Sequence, residues 1–397
     1  MNNADYRFIR FNLFPMDVLR FRRPKPFRVG GYAQTELLPP SSTVAGALLT
    51  ELYYRDLIPR ANSFEEFVKK LESEGVFFRG PFYGQKGGLL FPSPCDIRKC
   101  KYCKKLFLVP WKEDQYVKGI GYPLSVPWPP CPSCGRASSL VTDSLISSIT
   151  LKLRSERQIT ELKSVHVAEI KDDARGIVRT QVRPGITLKD EYKVVKPGYF
   201  YSAEWLELVG VHIVEYASLP QRYLDALKYL PLLWVGGNRR PVIVSSKELE
   251  LNEVCKELSG GYSIEELSEE IARSGRFDLL ILTPAIFIRR EELRSKGRRT
   301  SWLPDWLING KGELEGLKMK LIGVGLHKPL LVSGWDLRLN APKNMYAAVS
   351  PGSMFRFEIL GDVSPQQVGR FLREVLVKGV GRWRAVGYGT AVAFPAN

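Results

Sequence analysis

Two cysteine pairs, Cys100-Lys-Tyr-Cys103 and Cys131-Pro-Ser-Cys134, carry the sharpest chemical signal in the sequence. A two-residue spacer lets both sulfurs of a pair point into one coordination sphere, and four thiolates suit tetrahedral zinc. The 27 residues between the pairs exceed the usual separation in a compact ribbon. Reduced thiols or a redox pair are the alternatives, and Cys95 could replace Cys100 at a less suitable spacing. Four cysteine ligands leave no open position for water, so the expected zinc is structural, not catalytic. Cys255, in a helix-like stretch, reads as a small core residue.

The second signal is Gly379-Val-Gly-Arg-Trp-Arg-Ala-Val-Gly-Tyr-Gly389. Gly379, Gly381, Gly387 and Gly389 let the backbone turn through positive φ and come close to a ligand. Successive N–H groups in such turns make an anion-binding concavity. Arg382 and Arg384 add positive charge, and Trp383 and Tyr388 offer faces on which unpaired bases stack. The pattern suits a phosphate backbone with splayed bases. The alternative is a tight helix-to-strand crossover with Trp383 packed inside.

Catalytic constellations are thin. His212 lies in an alternating apolar run and reads as a satisfied strand residue; His166 and His327 have no evident sequence partner. Asp172-Asp173 reads as a solvated pair, and there is no GxxxxGK[ST] phosphate loop. The expectation is a binder, not an enzyme.

Composition agrees. The chain has 397 residues, with 58 basic against 42 acidic side chains, a net charge of +16. Two domains are expected at this length. The excess is local: Arg7, Arg10, Arg20, Arg22, Arg23, Lys25 and Arg28 face only Asp5 and Asp17, and a second cluster spans Arg289–Arg299. A polyanionic partner is the expectation. No apolar run is long enough for a membrane span, and the start lacks a signal-peptide core, so the chain is expected to be cytoplasmic. Six cysteines without an export signal argue against a disulfide framework.

The positioning elements are legible in part. Residues 6–21 read as a strand running into a basic loop, and Ser41 or Ser42 as the N-cap of a helix reaching Arg55. Ser63 with Glu66, and Ser263 with Glu266, are capping boxes for helices that Gly75 and Gly275 end. Short strands are expected at 76–83 and 88–92, hairpins at 183–210, and strands at 279–287, 329–337, 354–359 and 390–394. Ser364, Pro365 and Gln367 open a last helix with one apolar face (Val368, Phe371, Leu372, Val375, Leu376), and Gly379 closes it. The order of strands and helices is compatible with βαββαβ sheets.

Several stretches in order resemble the third Cmr subunit of type III-B CRISPR effectors, in the RAMP superfamily. They are Met16-Asp17-Val18-Leu19-Arg20-Phe21-Arg22 through Pro26-Phe27, Pro40-Ser41-Ser42-Thr43-Val44-Ala45-Gly46-Ala47-Leu48, Arg183-Pro184-Gly185-Ile186, Thr283-Pro284-Ala285, Ser333-Gly334-Trp335-Asp336 and Gly379–Gly389. The chain departs from the family at Gly236-Gly237-Asn238-Arg239-Arg240, where an acidic group is common.

The resemblance implies an α+β fold of two ferredoxin-like (RRM-like) domains. They are placed at 1–210, with a zinc-binding insertion at about 93–140, and at 211–397. It implies a non-catalytic role in antiviral defence: gripping the 5′ tag of the CRISPR RNA and tying the large polymerase-like subunit to the backbone RAMP subunit. The loop glycines would then approach phosphates. Ser41, Ser42 and Thr43 would cap a helix whose N-terminus is a second phosphate site, and Arg20, Arg22, Arg23 and Lys25 would form the other basic wall. The rival readings are a RAMP endoribonuclease that processes precursor CRISPR RNA through Lys or Tyr, and a zinc-bearing scaffold for acidic proteins.

Overall fold

Phe8–Pro15 (β1) alternates from Ile9 to Phe14: Ile9, Phe11 and Leu13 are buried on one face, while Arg10, Asn12 and Phe14 lie partly open on the other. Such alternation marks a strand with unlike faces. In this computed structural model, which describes residues 7–22, 31–109, 111, 116–117, 120–121, 130–142, 144–155, 167–170, 176–188, 195–288, 300–336 and 340–396, β1 is central to a large sheet. The chain continues through Ser41–Tyr54 (α1), Phe64–Ser73 (α2), Phe77–Gln85 (β2), His212–Ser218 (β3), Gln221–Leu227 (α3) and Arg240–Leu249 (β4). Sheet order is β4-β1-β3-β2 with every neighbour antiparallel. That is the order of a ferredoxin-like βαββαβ unit.

The boundary expected at 210 is therefore corrected. β3, α3 and β4 follow residue 210 yet complete the first sheet, with Phe8 opposite Ser218 and Leu249. Residues 86–211 intervene between β2 and β3, and the hairpin pattern within them looks locally like the end of a unit. It is instead an inserted hairpin, Val178–Leu188 with Val195–Leu208.

The second unit runs Leu251–Ser259 (α4), Ile264–Ser274 (α5), Arg276–Ile281 (β5), Leu317–Gly325 (β6), Met354–Ile359 (β7), Pro365–Lys378 (α6) and Ala391–Pro395 (β8). Its core order, β8-β5-β7-β6, repeats that of the first sheet. The α5 and α6 caps are as the sequence predicts: Ser263 and Ser364 each accept from the N–H three residues on, and Glu266 and Gln367 each return a bond to the cap N–H. One apolar core joins the units, with Phe8, Phe82 and Tyr216 of the first sheet continuous with Phe277 and Phe355 of the second sheet and Phe371 of α6. Another fills the space between the first sheet and α1, α2 and α3.

A buried ionic chain ties the insertion to the second unit. The Arg154 guanidinium donates to Asp96 at 2.6 Å and to Asp278 (β5) at 2.9 Å, and Arg356 (β7) donates to Asp278 at 2.7 Å. Cys95 N–H donates to Gly352 O at 2.9 Å beside it.

Candidate nucleic-acid interface

The glycine-rich segment is packed, and the expected stacking role of its rings is corrected. Trp383 is 4% exposed and Tyr388 3%. Trp383 meets Phe64, Tyr346 and Tyr388 edge-on, with centroids 4.9, 5.1 and 5.6 Å away. Neither ring offers a face to a base. The glycines serve close backbone contact: a Cβ on Gly389 would lie 1.7 Å from Val380 O, one on Gly381 2.6 Å from Ile286 O, and one on Gly387 2.9 Å from Gly80 O. A Cβ on Gly379 would lie 2.5 Å from Gly389 O. Arg384 is held by Glu72, which accepts from its N–H at 3.1 Å and its guanidinium at 2.9 Å. Arg382 is half-buried, its N–H donating to Ile286 O at 2.9 Å.

Beneath the segment lies Arg79 of β2, fully buried. It donates to Leu376 O at 3.1 Å, to Val377 O, and to Arg384 O at 3.2 Å. Leu376 and Val377 supply last-turn carbonyls of α6, which have no intrahelical partner, so a side chain of the first unit caps a helix of the second. Burial, then the nearby Arg384, lowers the Arg79 pKa to about 9, still charged at neutral pH. The crossover reading with Trp383 inside describes this segment.

The start of α1 differs in detail from expectation. Pro40 holds the N-cap position, with φ −66° and ψ 135°, and no side chain caps the helix. Its ring presets the φ that a cap needs. Ser41 is buried in the first turn, followed by Ser42 and Thr43; Tyr388 Oη donates to Ser42 Oγ at 3.4 Å.

These three residues open onto a groove of about 1920 Å³ between α1 and the strands Leu330–Val332 and Trp335–Asp336. Arg20, Arg22, Arg60, Lys70, Arg239 and Lys343 line it against five carboxylates. Trp335 (53% exposed), Tyr54 (65%) and Trp234 supply the open aromatic faces that the glycine segment lacks. Trp335 Nε1 donates to Asn340 Oδ1 at 3.2 Å, which fixes the ring.

Arg20 also belongs to a cluster that sequence reasoning missed. The guanidinium carbons of Arg240, Arg20 and Arg183 lie 4.5, 5.7 and 5.8 Å from the Trp205 ring centre. Asp17 pairs with Arg240 at 3.1 Å and Arg183 at 3.6 Å. The Val18 N–H, with Arg183 and Arg240, holds the Asp17 carboxyl below its ordinary range. Three guanidiniums around one indole suit phosphate oxygens better than one arginine does. The stretches of Arg20 and Arg183 are among those that resemble the family and that of Arg240 is where the chain departs from it, but their convergence is tertiary and leaves no local pattern. Arg23, Lys25, His166, Asp172-Asp173 and the cluster at 289–299 lie outside the described residues.

The cysteines do converge. Cys100, Cys103, Cys131 and Cys134 place all four sulfurs within 4.8 Å of one another, while Cys95 and Cys255 are buried elsewhere. Three of the separations are 3.5, 3.6 and 3.9 Å. A tetrahedron with 2.3 Å metal–sulfur bonds has edges of about 3.8 Å, so the set could hold a metal ion and is compatible with zinc. Tyr102 and Cys103 N–H groups donate to Cys100 Sγ, both at 3.4 Å. Desolvation pushes the Cys100 thiol up, but these donors outweigh it and hold it below its ordinary value.

Neither described histidine sits with an acid–base partner. His212 stacks on Phe14 with centroids 4.7 Å apart and bonds Asn12 Oδ1; His327 Nε2 donates to Ser93 O. Burial lowers the pKa of both. No helix among the described residues is long and apolar enough to cross a membrane.

No curated protein sequence matches the chain. Among solved structures it is similar to a chain of the type III-B Cmr-beta complex bound to cognate target RNA and AMPPnP, at 18% identity and a TM-score of 0.46, over 87% of this chain and 86% of that one. A chain of the Csm3-Csm4 subcomplex of the type III-A CRISPR-Cas interference complex is similar at 13% identity and a TM-score of 0.40, over 98% and 99%. A RAMP protein binding different RNA substrates is similar at 10% identity and a TM-score of 0.35, over 98% and 100%. The family model described as CRISPR-associated protein (Cas_Cmr3) matches residues 11–395. Because that match runs from β1 of the first sheet to β8 of the second, the chain belongs to the CRISPR-associated Cas_Cmr3 family.

Proposed function

We propose that this chain is a non-catalytic subunit of a type III-B CRISPR effector. In that role it grips the 5′ tag of the CRISPR RNA and bridges the large polymerase-like subunit to the backbone RAMP subunit. Family membership supports the setting. The observation that carries the RNA reading is the Arg20–Arg183–Arg240 cluster around Trp205, beside a groove with open aromatic faces. Phosphates meet the guanidiniums, and bases stack on Trp335 and Tyr54. Cys100, Cys103, Cys131 and Cys134 hold a zinc that stiffens the insertion and takes no part in chemistry.

The test is a titration of single-stranded RNA at several salt concentrations. Replacing Arg183 and Arg240 by Ala should weaken binding and reduce the slope of log K against log salt by roughly 0.7 for each phosphate no longer neutralised. An unchanged slope and affinity would remove the cluster from the RNA path. Repeat RNA incubated with the pure protein in chelator should stay intact; specific cleavage would establish the endoribonuclease reading instead.

A further inference from the structure

The tip that bears the four cysteines has a one-sided charge distribution. Residues 97–109 and 131–140 contain Arg98, Lys99, Lys101, Lys104, Lys105 and Arg136, and no aspartate or glutamate. Asp96, just outside, is buried and engaged by Arg154. Six cations outweigh the net negative charge of a zinc tetrathiolate. In the groove, by contrast, six cations face five carboxylates.

The tip also presents an aromatic ring. Tyr102 sits between two cysteine ligands and is 60% exposed, with the Arg136 guanidinium 4.6 Å from its ring centre. Lys101, Lys104, Lys105 and Arg136 are exposed around it. The N–H bonds from Tyr102 and Cys103 to Cys100 Sγ fix the turn that holds the ring out. A bare acidic protein surface would be met by the lysines alone. An exposed tyrosine with an arginine stacked on it adds flat faces, which suit unpaired bases.

We infer that this tip is a second binding site for single-stranded RNA, separate from the groove. None of its residues lines the groove, so the two sites engage different stretches of one strand. The cysteine cluster acts here as a stiff mount for Tyr102 and its flanking cations.

The experiment uses the full-length protein and a fluorescent single-stranded RNA, read by anisotropy across salt concentrations. Tyr102→Ala should weaken binding about tenfold, and Tyr102→Phe, which keeps the ring, should not. A Lys101→Ala, Lys104→Ala, Arg136→Ala protein should lower the salt slope by roughly 2. Zinc content, measured on every variant, should match that of the parent, because none of these side chains is a ligand. Photocrosslinking of thiouridine RNA to the unmodified protein should label the peptide that contains Tyr102. Unchanged affinity and slope with zinc retained, or crosslinks confined to groove peptides, would overturn the inference. So would variants that bind RNA normally but no longer bind a polyglutamate probe, which would assign the tip to an acidic protein partner. None of these failures touches the groove, whose own variant, Trp335→Ala, is scored separately.

Discussion

Replacing Trp383 by Ala tests whether the glycine-rich segment is core or collar. The indole is 4% exposed and meets three aromatic rings edge-on. Removing such a side chain costs about 3–5 kcal/mol, cavity included. The backbone gives no relief in return: residue 383 sits at φ 59°, and alanine is as strained there as tryptophan. The two units share a core, so the 397 residues should unfold largely together. At about 2.1 cal/mol/K of unfolding entropy per residue, the midpoint then falls by roughly 4–6 °C. Scanning fluorimetry reads that shift, and RNA anisotropy well below the midpoint reads function on protein that is still folded. Trp335→Ala should do the reverse, losing about tenfold in RNA affinity with a midpoint change below ~1 °C. A Trp383→Ala protein with an unmoved midpoint and a tenfold loss of RNA binding would refute the packing argument and restore the collar.

Asp278→Asn leaves Arg154 and Arg356 buried without their shared carboxylate and should cost about 3–5 kcal/mol in urea titrations at pH 7. Burial raises the Asp278 carboxyl, but Arg356 and then Arg154 pull it below its ordinary 3.8. Its contribution is thus complete above about pH 4 and is lost as pH falls through the lower folded value, an acid limb that should flatten in the variant. Cys131→Ser should abolish zinc binding by mass spectrometry and open the insertion to protease, while circular dichroism of the two sheets persists. Gly389→Ala places a Cβ 1.7 Å from Val380 O at φ 71° and should cost about 2–5 kcal/mol, against ~1–2 kcal/mol for Gly75→Ala, left-handed but in open space.

What the sequence showed plainly was local. The α6 signature of Ser364, Pro365 and Gln367, the strand Met354–Ile359 and the two Cys-x-x-Cys pairs all rest on spacings of a few residues. The unit boundary did not, because β3 pairs with β1 across some two hundred residues and nothing in Val211-His212-Ile213 names its partner. The α1 cap failed more subtly. Serine favours the cap by propensity, but Pro40 already has the extended geometry the position requires, and this moves Ser41 into the helix. The glycine segment was ambiguous in principle. Positive φ and missing Cβ atoms serve a phosphate and a neighbouring carbonyl equally well, and the carbonyls in question come from Ile286 and Gly80 as well as from the segment itself.

The same ambiguity governs the basic excess. Composition counts each arginine as a unit of attraction for a polyanion, but a guanidinium is also the side chain best able to bond several carbonyls or carboxylates inside a fold. Arg79 spends its donors on the end of α6, Arg154 and Arg356 on Asp96 and Asp278, and Arg384 on Glu72. Each bond joins stretches far apart in sequence, and together they fasten the insertion and the second unit to the first. These arginines, deep inside or already neutralised, do little to draw in a strand. Among the described residues, the cations left to meet a strand are those that keep some exposure: the cluster around Trp205, opposed by Asp17, and the acid-free tip around Tyr102. The net charge of the chain therefore overstates the charge open to a strand, and among the described residues the salt slope of binding should follow those two clusters.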